Sequence, residues 1–298
     1  TSYGPTDDNS SIRALNFALD SGINFFDTSN VYGEGHSESL IGKTFLKFRD
    51  RVLIATKVGL VNYDEPANYS INNLSKSLQG SLKRLKTDYI DLLQLHNPSP
   101  DIIHHNHDIL TWVNQLKKKG IIRAFGVSVR SPKEGIIAIE KLNPESIQVN
   151  FNLLDHRAIE SGLMKSAATN QVSLIARTPL CFGFLSGKLH STTHFDKQDH
   201  RSLWPNQHIH NWVRGSKKIL SCKGDSSLQT DTQFALRFCL SYPRVTTAIP
   251  GVLNELEVKE NIKASDLGPL QDNEIEDVQK TYHKLQFIFD NKNLKKIS

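Results

Sequence analysis

The sequence is poor in cysteine and methionine and has no long apolar run. Its 298 residues include 3 cysteines, Cys181, Cys222 and Cys239, and 1 methionine, Met164. So few and widely spaced cysteines exclude a disulfide framework and a cysteine zinc site, and they are typical of a reducing compartment. No apolar run approaches the roughly 18 residues of a membrane span, and no signal peptide opens the chain. We therefore expect a cytoplasmic protein without a membrane partner.

Positive charge exceeds negative charge only slightly and is not concentrated in one place. The formal net charge is +5 and the sequence pI is about 9.0, which favours anionic ligands such as phosphates. The densest basic run, residues 117–119, lies at a predicted helix end, where the helix dipole favours cations. Because the other lysines are dispersed, we expect no nucleic-acid partner. The run HHNH, residues 104–107, predicts no metal site, because adjacent histidines rarely share one coordination geometry.

Short apolar segments rich in β-branched residues alternate with longer amphipathic segments. Most of the short segments are continuously apolar, which is typical of parallel strands buried on both faces. The predicted strands are residues 22–27, 51–57, 89–96, 123–129, 146–150, 172–177 and 245–251. Between them, apolar residues at helical spacing predict a helix over residues 71–85, and Ser131 with Glu134 predicts a capping box at the start of another.

Repeated alternation of strands and helices fits either an open doubly wound sheet or a closed barrel. The G-x-G-x-x-G turn that an open dinucleotide-binding sheet carries after its first strand is missing. We therefore predict an α/β fold of the (β/α)8 TIM-barrel class, formed by residues 1–298 as one domain. Only seven strands are visible, and the chain opens on loop composition without an initiator methionine. The first strand of the barrel is accordingly expected upstream of Thr1.

Two further segments complete the predicted domain. Residues 190–215 are the longest irregular stretch, which we interpret as a long loop on the substrate side. The residues of this loop that could line a pocket for a sugar or phosphorylated ligand are Asp199, His200, Arg201, Trp204 and Trp212. The alternative is a surface loop anchored by its tryptophans. Residues 271–298 are predicted to form an amphipathic C-terminal helix, with apolar positions as far as Phe289, followed by a tail.

Four polar side chains lie at or just after the ends of three consecutive predicted strands. They are Asp27, Tyr32, Lys57 and His96. Each alone has an ordinary structural explanation, such as a helix cap or a buried structural histidine. The loops that follow the strands of such a barrel lie at one end and build its active site, so we expect the four side chains to meet there.

These residue types together make a proton donor directed at a carbonyl group. A phenol with a pKa of about 10 is a weak acid at neutral pH, and an adjacent ammonium group lowers that pKa by favouring the phenolate. A carboxylate keeps the ammonium charged and in place. A neutral histidine can hydrogen-bond a carbonyl oxygen and orient it.

Seven segments, in order along the chain, resemble the motifs of the aldo-keto reductases. They are GINFFDTSNVYGEGHSESLIGK, LIATKVG, DYIDLLQLHNP, IRAFGVSV, IQVNFNLLD, ARTPLCFGFLSGKL and IPGVLNELEVKENI. By this resemblance, Tyr32 is the general acid and Lys57 lowers its pKa. Asp27 pairs with Lys57, and His96 positions the substrate carbonyl. The resemblance also implies a nicotinamide cofactor, NAD(H) or NADP(H), and a small-molecule substrate such as an aldehyde, ketone or sugar.

The cofactor contacts of the family carry over unevenly. The residues that the resemblance assigns to the cofactor are Ser128, Gln148, Arg177, Thr178, Leu180, Gly183, Ser186, Lys188, Pro250, Gly251, Leu253, Glu257, Glu260 and Asn261. Ser128 and Gln148 match residues that bind the nicotinamide carboxamide. Val129 stands where relatives usually have asparagine, which removes one hydrogen bond worth about 1 kcal/mol. Arg177 stands where many relatives have an aromatic residue, and its planar guanidinium can also stack on the nicotinamide.

The last of these segments departs from the pattern of the NADP-preferring relatives. Those relatives carry an arginine or lysine that pairs with the 2′-phosphate, whereas this chain has Leu253 and Glu257. A carboxylate repels a phosphate but can hydrogen-bond a free 2′-hydroxyl group. The resemblance therefore slightly favours NAD(H), and compensation by Lys259 or another basic residue is the alternative.

Two other functions remain open on the same fold. One is an enzyme that acts mainly as an alcohol or aldose dehydrogenase. The other is a cofactor-binding regulatory subunit, like the channel-associated members of the family. The fold alone does not choose between them, and the sequence makes no prediction of the oligomeric state.

Overall fold

A computed structural model describes residues 4, 6–105, 107–224 and 228–285 of the chain. Its central sheet contains seven strands that pair in sequence order, and every neighbouring pair is parallel. The strands are β1 (Phe25–Asp27), β2 (Leu53–Val58), β3 (Ile90–His96), β4 (Ile122–Ser128), β5 (Ser146–Asn150), β6 (Ser173–Arg177) and β7 (Val245–Ala248). All seven predicted strands are confirmed, with ends that differ by a few residues.

The helices lie before, between and after the strands and cover the outside of the curled sheet. They are α1 (Asp8–Asp20), α2 (His36–Phe45), α3 (Ile71–Leu85), α4 (Pro100–His104), α5 (His107–Lys118), α6 (Pro132–Leu142), α7 (Arg157–Glu160), α8 (Leu163–Thr169), α9 (Asn206–Leu220), α10 (Asp231–Leu240), α11 (Glu255–Asp266) and α12 (Asp272–Leu285). This is the architecture of the (β/α)8 barrel, with seven of its strands in the described part of the chain. No helix there is both long enough and apolar enough to cross a bilayer.

Local sequence explains where the helices begin and which face they bury. In α3, Leu74, Leu78 and Leu85 are buried at helical spacing, and the Ser70 hydroxyl accepts a hydrogen bond from a backbone N–H of the first turn. The predicted capping box of Ser131 and Glu134 is present at the start of α6. These helices bury their apolar stripes against the outer face of the sheet.

Side chains that point into the barrel form an apolar layer with a polar layer above it. The apolar layer consists of Phe25, Ala55, Leu92, Ala124, Ile175 and Ile249. Side chains alternate between the two faces of a strand, so the next inward position lies two residues further along. Those positions are Asp27, Lys57, Gln94, Gly126 and Arg177. The alternation therefore places the polar layer at the carboxyl ends of the strands.

The prediction of an irregular loop over residues 190–215 is wrong in its second half. Residues 206–220 form helix α9, and its Ile209 and Ile219 are buried. Trp204 and Trp212 join an aromatic cluster with Phe182 and Phe184, whose ring centroids lie between 5.2 and 6.3 Å from those of the two tryptophans. Trp212 lies on α9 and so attaches this helix to the cluster. Burial of apolar side chains stabilises α9, which has no side-chain cap.

The predicted C-terminal helix is present as α12. Its residues Val278, Tyr282 and Leu285 are buried against the barrel. Phe289 and the predicted tail lie outside the described residues.

Candidate active site

A buried ion pair lies at the carboxyl ends of β1 and β2. The Lys57 ammonium donates to Asp27 Oδ1 over 2.5 Å and to the Thr28 carbonyl over 2.9 Å. The Lys57 side chain is fully buried, and that of Asp27 is 6% exposed. Burial by itself would lower the pKa of Lys57, but the Asp27 carboxylate and the nearby Tyr32 phenol raise it above its usual value. The ammonium is therefore charged inside the barrel.

Two glutamines hold the second oxygen of the Asp27 carboxylate. Gln148 Nε2 donates to Asp27 Oδ2 over 2.8 Å, and Gln94 Nε2 donates to the same oxygen over 3.1 Å. An ionised carboxylate accepts strong hydrogen bonds, so the two amides and the ammonium fix its orientation. Gly126 neighbours Gln94 on the adjacent strand, and a Cβ atom on Gly126 would lie 3.2 Å from Gln94 Cγ. The glycine thus leaves room for the Gln94 side chain.

Tyr32 stands over this pair, on the loop between β1 and α2. The loop turns tightly, since the Tyr32 N–H donates to the Ser29 carbonyl and the Ser37 N–H donates to the Tyr32 carbonyl. Lys57 Nζ lies 5.2 Å from the centroid of the Tyr32 ring, and the His96 ring lies edge-on to it with the centroids 6.2 Å apart. The loop therefore brings the phenol next to both a buried cation and an imidazole.

His96 ends β3 and is held from two sides. Its Nδ1 atom lies 3.2 Å from Ser29 Oγ, and its backbone carbonyl accepts a hydrogen bond of 2.6 Å from the Tyr69 hydroxyl. Tyr69 packs so closely on Gly59 (φ 112°) that a Cβ atom there would lie 2.3 Å from the ring. Burial, with the positive charges of Lys57, Arg177 and Arg130, holds the pKa of His96 well below its usual value. The imidazole is therefore neutral.

Arg177 ends β6 and brings a second cation to the mouth of the barrel. Its Nη2 group donates to the Val129 carbonyl over 2.9 Å, and its buried Nε–H has no acceptor among the described residues. Burial lowers the pKa of the guanidinium, and Tyr32 and Asp155 oppose that effect. The side chain thus reaches across to the end of β4, beside Val129.

Ser128 and Gln148 are brought together by the register of β4 and β5. They are direct partners in the sheet, and the Ser128 hydroxyl donates to Gln148 Oε1 over 3.3 Å. With Nε2 held by Asp27, the Gln148 amide cannot turn without losing a hydrogen bond to a charged group. An acceptor oxygen and a hydroxyl group therefore stand next to the catalytic candidates.

The predicted cofactor residues after β6 form a tight backbone cradle. Thr178 (φ 50°) and Gly183 (φ 91°) adopt left-handed conformations, and the Ser186 hydroxyl donates to the Gly183 carbonyl over 2.7 Å. Leu180 is partly buried against the core. Phe182 and Phe184 of this segment contact Trp204 and Trp212 in the aromatic cluster, which keeps the segment close to the barrel.

The predicted cofactor residues after β7 lie at the start of α11. Pro250 and Gly251 follow β7 after one intervening residue, Ile249. Glu260 accepts a hydrogen bond of 2.7 Å from Thr230 and lies 3.7 Å from the ammonium of Lys188, which joins this helix to the segment after β6. The remaining members lie just before α11 or on its first two turns: Leu253, which is exposed, and Glu257 and Asn261, which are partly buried.

Residues of this second segment also have structural roles. Glu257 Oε2 accepts a hydrogen bond of 2.7 Å from the Leu253 N–H, and the Glu257 N–H donates to Asn254 Oδ1 over 3.0 Å. The Glu257 carboxylate is therefore held at the N-terminus of α11, where negative charge is favourable.

These donors and acceptors fit a nicotinamide dinucleotide. Ser128 and Gln148 provide a hydroxyl and an amide for a carboxamide group, and the planar Arg177 guanidinium carries an N–H without a protein acceptor. The left-handed turn after β6 contains Gly183 (φ 91°), and a glycine lets a ligand such as a pyrophosphate approach the backbone closely.

Comparison with known protein families identifies the family of the chain. Residues 1–283 match the model of the Aldo/keto reductase family. The chain belongs to the aldo/keto reductase family. It is an oxidoreductase, and NAD(P)-dependent carbonyl reduction is the general chemistry of this family.

Similar proteins include both enzymes and a channel subunit. The chain is 30% identical over 280 residues to an uncharacterized oxidoreductase, YqkF, of Bacillus subtilis (strain 168), with 92% of this chain and 88% of that protein covered. It is 27% identical to a probable voltage-gated potassium channel subunit beta of Oryza sativa subsp. japonica, covering 88% and 84% of the two chains. The solved structure of the glycerol dehydrogenase AKR11B4 from Gluconobacter oxydans superimposes with a TM-score of 0.76 at 29% identity, covering 95% and 88%.

Sequence analysis of this aldo/keto reductase did not identify several residues of the site. Gln94 was missed, although it stands two positions before His96 and pairs with Lys57 in the sheet register. The alternation of side chains along a strand could have shown that it faces the same interior. Tyr69 and Ser29, which contact His96, come from loops, and loop residues carry no periodic signal.

Of the loop residues predicted to line a pocket, Arg201 has a structural role. Its guanidinium binds the Asp199 carboxylate at distances between 2.6 and 3.2 Å and donates to the Phe182 carbonyl over 2.7 Å. Trp204 and Trp212 belong to the aromatic cluster that anchors the segment. The contacts of the tryptophans agree with the alternative of a surface loop anchored by them as far as residue 205, beyond which the chain is helix α9.

Proposed function

We propose that this chain reduces the carbonyl group of aldehydes, ketones or sugars, with Tyr32 as the general acid. The observation that supports it is the buried Lys57 ammonium, held by Asp27 and lying 5.2 Å from the Tyr32 ring. A cation at this place favours the phenolate, so the phenol gives up its proton more readily than in water. The neutral imidazole of His96 presents a hydrogen-bonding group beside the same ring.

Each residue of the site has a separate role in the proposed reduction. NAD(P)H, when bound, supplies a hydride to the carbonyl carbon and leaves as NAD(P)+. Tyr32 donates its hydroxyl proton to the carbonyl oxygen, which becomes the hydroxyl group of the alcohol product. Lys57 stabilises the tyrosinate that remains until a proton from solvent restores the phenol. His96 orients the carbonyl oxygen, and Asp27 keeps Lys57 charged and in place.

The cofactor contacts that we propose follow the geometry of the site. Gln148 and Ser128 would bind the carboxamide and Arg177 would lie against the nicotinamide. The segment from Thr178 to Lys188 would hold the pyrophosphate, and Glu260 with Asn261 would contact the adenine. Each of these contacts is tested by the Michaelis constant of the cofactor in the corresponding alanine variant.

The conservative variant Tyr32→Phe tests the proposed acid. It removes only the hydroxyl group, so we expect turnover to fall by about 100-fold to 10,000-fold, the usual contribution of acid–base catalysis. Cofactor binding, followed by quenching of intrinsic fluorescence, should be nearly unchanged. The control is Tyr63→Phe, because Tyr63 is 63% exposed on the loop after β2. Normal turnover of Tyr32→Phe would refute the proposed role.

We also propose that the chain uses NAD(H) at least as well as NADP(H). The support is that Leu253 and Glu257 stand where a base for the 2′-phosphate would be expected. The alternative base, Lys259, has its ammonium 5.3 Å from the centroid of the Phe17 ring on α1. A strong preference for NADPH in kcat/KM would contradict this part of the proposal.

Two alternatives use the same site. Because the reduction is reversible, the enzyme would act as an alcohol dehydrogenase where NAD+ is abundant, and one similar structure is named as a glycerol dehydrogenase. The other alternative is a regulatory subunit, because one relative is named as a probable voltage-gated potassium channel subunit beta. Steady-state oxidation of NADH with a panel of aldehydes and sugars separates them, because a purely regulatory protein would bind the cofactor without appreciable turnover.

A further inference from the structure

A cleft opens next to the catalytic histidine, between the loops that follow β2, β3 and β4. Its volume is about 480 Å³, and Tyr69, Asn97, Ser99 and Arg130 are among the residues that line it. Asn97 follows His96 directly in the chain, and the Tyr69 hydroxyl donates to the His96 carbonyl. The cleft therefore shares a wall with the site where the substrate carbonyl would bind.

Arg130 gives this cleft a positive charge without a counter-ion in the described part of the chain. Its side chain is exposed, and its guanidinium forms no hydrogen bond or ion pair with any residue of the described ranges. By contrast, the guanidinium of Arg201 is held by a carboxylate and a carbonyl. An arginine without a protein partner in a concave surface is suited to a planar anionic group such as a carboxylate or phosphate.

One carboxylate lies close to this arginine but is already bound elsewhere. Glu134 Oε2 accepts hydrogen bonds of 2.9 Å from the backbone N–H groups of Arg130 and Ser131. These bonds belong to the capping box of α6, so the carboxylate is used by the backbone rather than by the guanidinium. It weakens the positive field of the cleft without cancelling it.

The rest of the lining is suited to a small polar ligand. Asn68 Oδ1 accepts the Ser70 N–H over 3.0 Å, which leaves the Asn68 NH2 group as a donor. Asn97 and Ser99 add further polar groups, and Ile102 and Tyr69 form the apolar part of the wall. Arg177 brings a second positive charge to the mouth of the barrel, whereas the charge of Lys57 is balanced by Asp27. Clefts with walls of low dielectric strengthen the attraction of anions to such charges.

We propose that this cleft binds an anionic group, a phosphate or a carboxylate, carried by the carbonyl substrate, with Arg130 as its counter-ion. The inference rests on the proposed function, because it places the reactive carbonyl of the same molecule at Tyr32 and His96. It extends that function by naming the class of substrate: short aldehydes or ketones with a negatively charged end.

Matched substrate pairs test the inference. Glyceraldehyde 3-phosphate is compared with glyceraldehyde, and succinic semialdehyde with butanal, by kcat/KM in the wild type and in Arg130→Gln. We expect the charged member of at least one pair to be preferred by the wild type. The variant should lose that preference by about tenfold or more, which corresponds to one charge-assisted hydrogen bond. The uncharged substrates should react at the same rate in both proteins.

The control variant is Lys133→Gln. It removes the same charge three positions further along the chain, and Lys133 is exposed on α6 and does not line the cleft. An equal loss in Lys133→Gln would overturn the inference, because the effect would then reflect only the general charge of the surface. A preference for the charged substrate that is unchanged in Arg130→Gln would also overturn the inference. The pair that responds tells whether phosphate or carboxylate is the natural group.

A binding measurement distinguishes failure of this inference from failure of the proposed function. Calorimetric titration with glycerol 3-phosphate in the presence of NADP+ or NAD+ needs no turnover. Binding to the wild type that is lost in Arg130→Gln and retained in Lys133→Gln would support the anion site even in a protein without reductase activity. Reduction of uncharged aldehydes without any Arg130-dependent binding would support the reductase and overturn the anion site.

Discussion

The side-chain amide of Gln148 donates a hydrogen bond to Asp27 Oδ2 over 2.8 Å, from a strand that is 121 residues further along the chain. This bond joins a residue proposed to hold the nicotinamide to the carboxylate that holds Lys57. It also orients the amide, because Nε2 must face Asp27 and Oε1 must face Ser128. The proposed cofactor contact and the charge of Lys57 are therefore connected through one side chain.

Gln94 shares this carboxylate oxygen, and we expect it to be a positioning residue. Gln94→Leu removes one of the two amide donors to Asp27, so kcat should fall by about tenfold, the value of one hydrogen bond to a charged group. The pH dependence of kcat should also shift, because Asp27 acts on the acid through Lys57. The exposed helix residue Gln115 provides the control Gln115→Leu. A kcat within twofold of the wild type and an unchanged pH profile would show that Gln94 only fills space.

His156 should make the folded chain sensitive to acid. It is buried and its ring stacks on Tyr282 at 3.8 Å between centroids. Burial lowers the pKa of His156 to about 3, whereas the same group titrates near its usual value of 6.5 in the unfolded chain. Between pH 3 and 6.5, His156 therefore binds a proton in the unfolded state but not in the folded state. As the pH decreases from 6.5 towards 3, the free energy of unfolding should therefore fall by about 1.4 kcal/mol for each pH unit through this residue alone.

The variant His156→Phe checks this contribution. It keeps an aromatic ring against Tyr282 and cannot take up a proton, so urea titrations between pH 4 and 6.5, within the range set by the pKa of His156, should show a shallower loss of stability than the wild type. His210 is exposed on α9, so His210→Gln should keep the slope of the wild type. An identical slope in His156→Phe and the wild type would contradict the prediction.

Asp91 should stabilise the fold without contributing to catalysis. It lies near the amino end of β3 and accepts hydrogen bonds from Arg49 over 2.6 Å, Arg123 over 2.8 Å and the Ile54 N–H over 2.9 Å. Asp91→Asn leaves the largely buried Arg49 without its counter-ion, so the free energy of unfolding should fall by about 3 kcal/mol. Chemical denaturation measures this value.

The activity of the same variant, corrected for the folded fraction, should be close to normal, because the residues proposed to act in catalysis lie at the opposite ends of the strands. The exposed pair of Lys280 and Glu276 on α12 serves for comparison. Lys280→Gln should change the stability by less than about 0.5 kcal/mol, as is usual for surface pairs. Loss of kcat in Asp91→Asn with unchanged stability would contradict the division between the two ends of the barrel.

Glu257 should influence which dinucleotide is preferred. Glu257→Gln removes the negative charge but keeps an oxygen that can accept the Leu253 N–H, so α11 should keep its N-terminus. We expect the ratio of kcat/KM for NADPH to that for NADH to rise severalfold, because a repulsion of the 2′-phosphate is removed. Glu255→Gln, in the same first turn, is the control. A ratio that rises equally in both variants, or in neither, would argue against a specific role of Glu257.

Much of the barrel could be predicted because its signals are local. Continuous apolar segments mark strands buried on both faces, and the capping box of Ser131 and Glu134 marks the start of α6. Helix α9 could not be predicted in this way. Its first residues are mostly polar, it lacks a side-chain cap, and its stability comes from packing Ile219 and Trp212 on distant parts of the chain.

The sequence by itself determined the residue types of the site, their place after strands, and the family that the motifs resemble. Only the tertiary structure decided the contacts. The register of parallel strands placed Lys57 beside Gln94 and Ser128 beside Gln148. The tertiary structure also showed that Arg201 is held by Asp199, whereas Arg130 lines a cleft next to His96. Such contacts depend on which strands and loops become neighbours, and chain folding sets this between residues that lie far apart in the sequence.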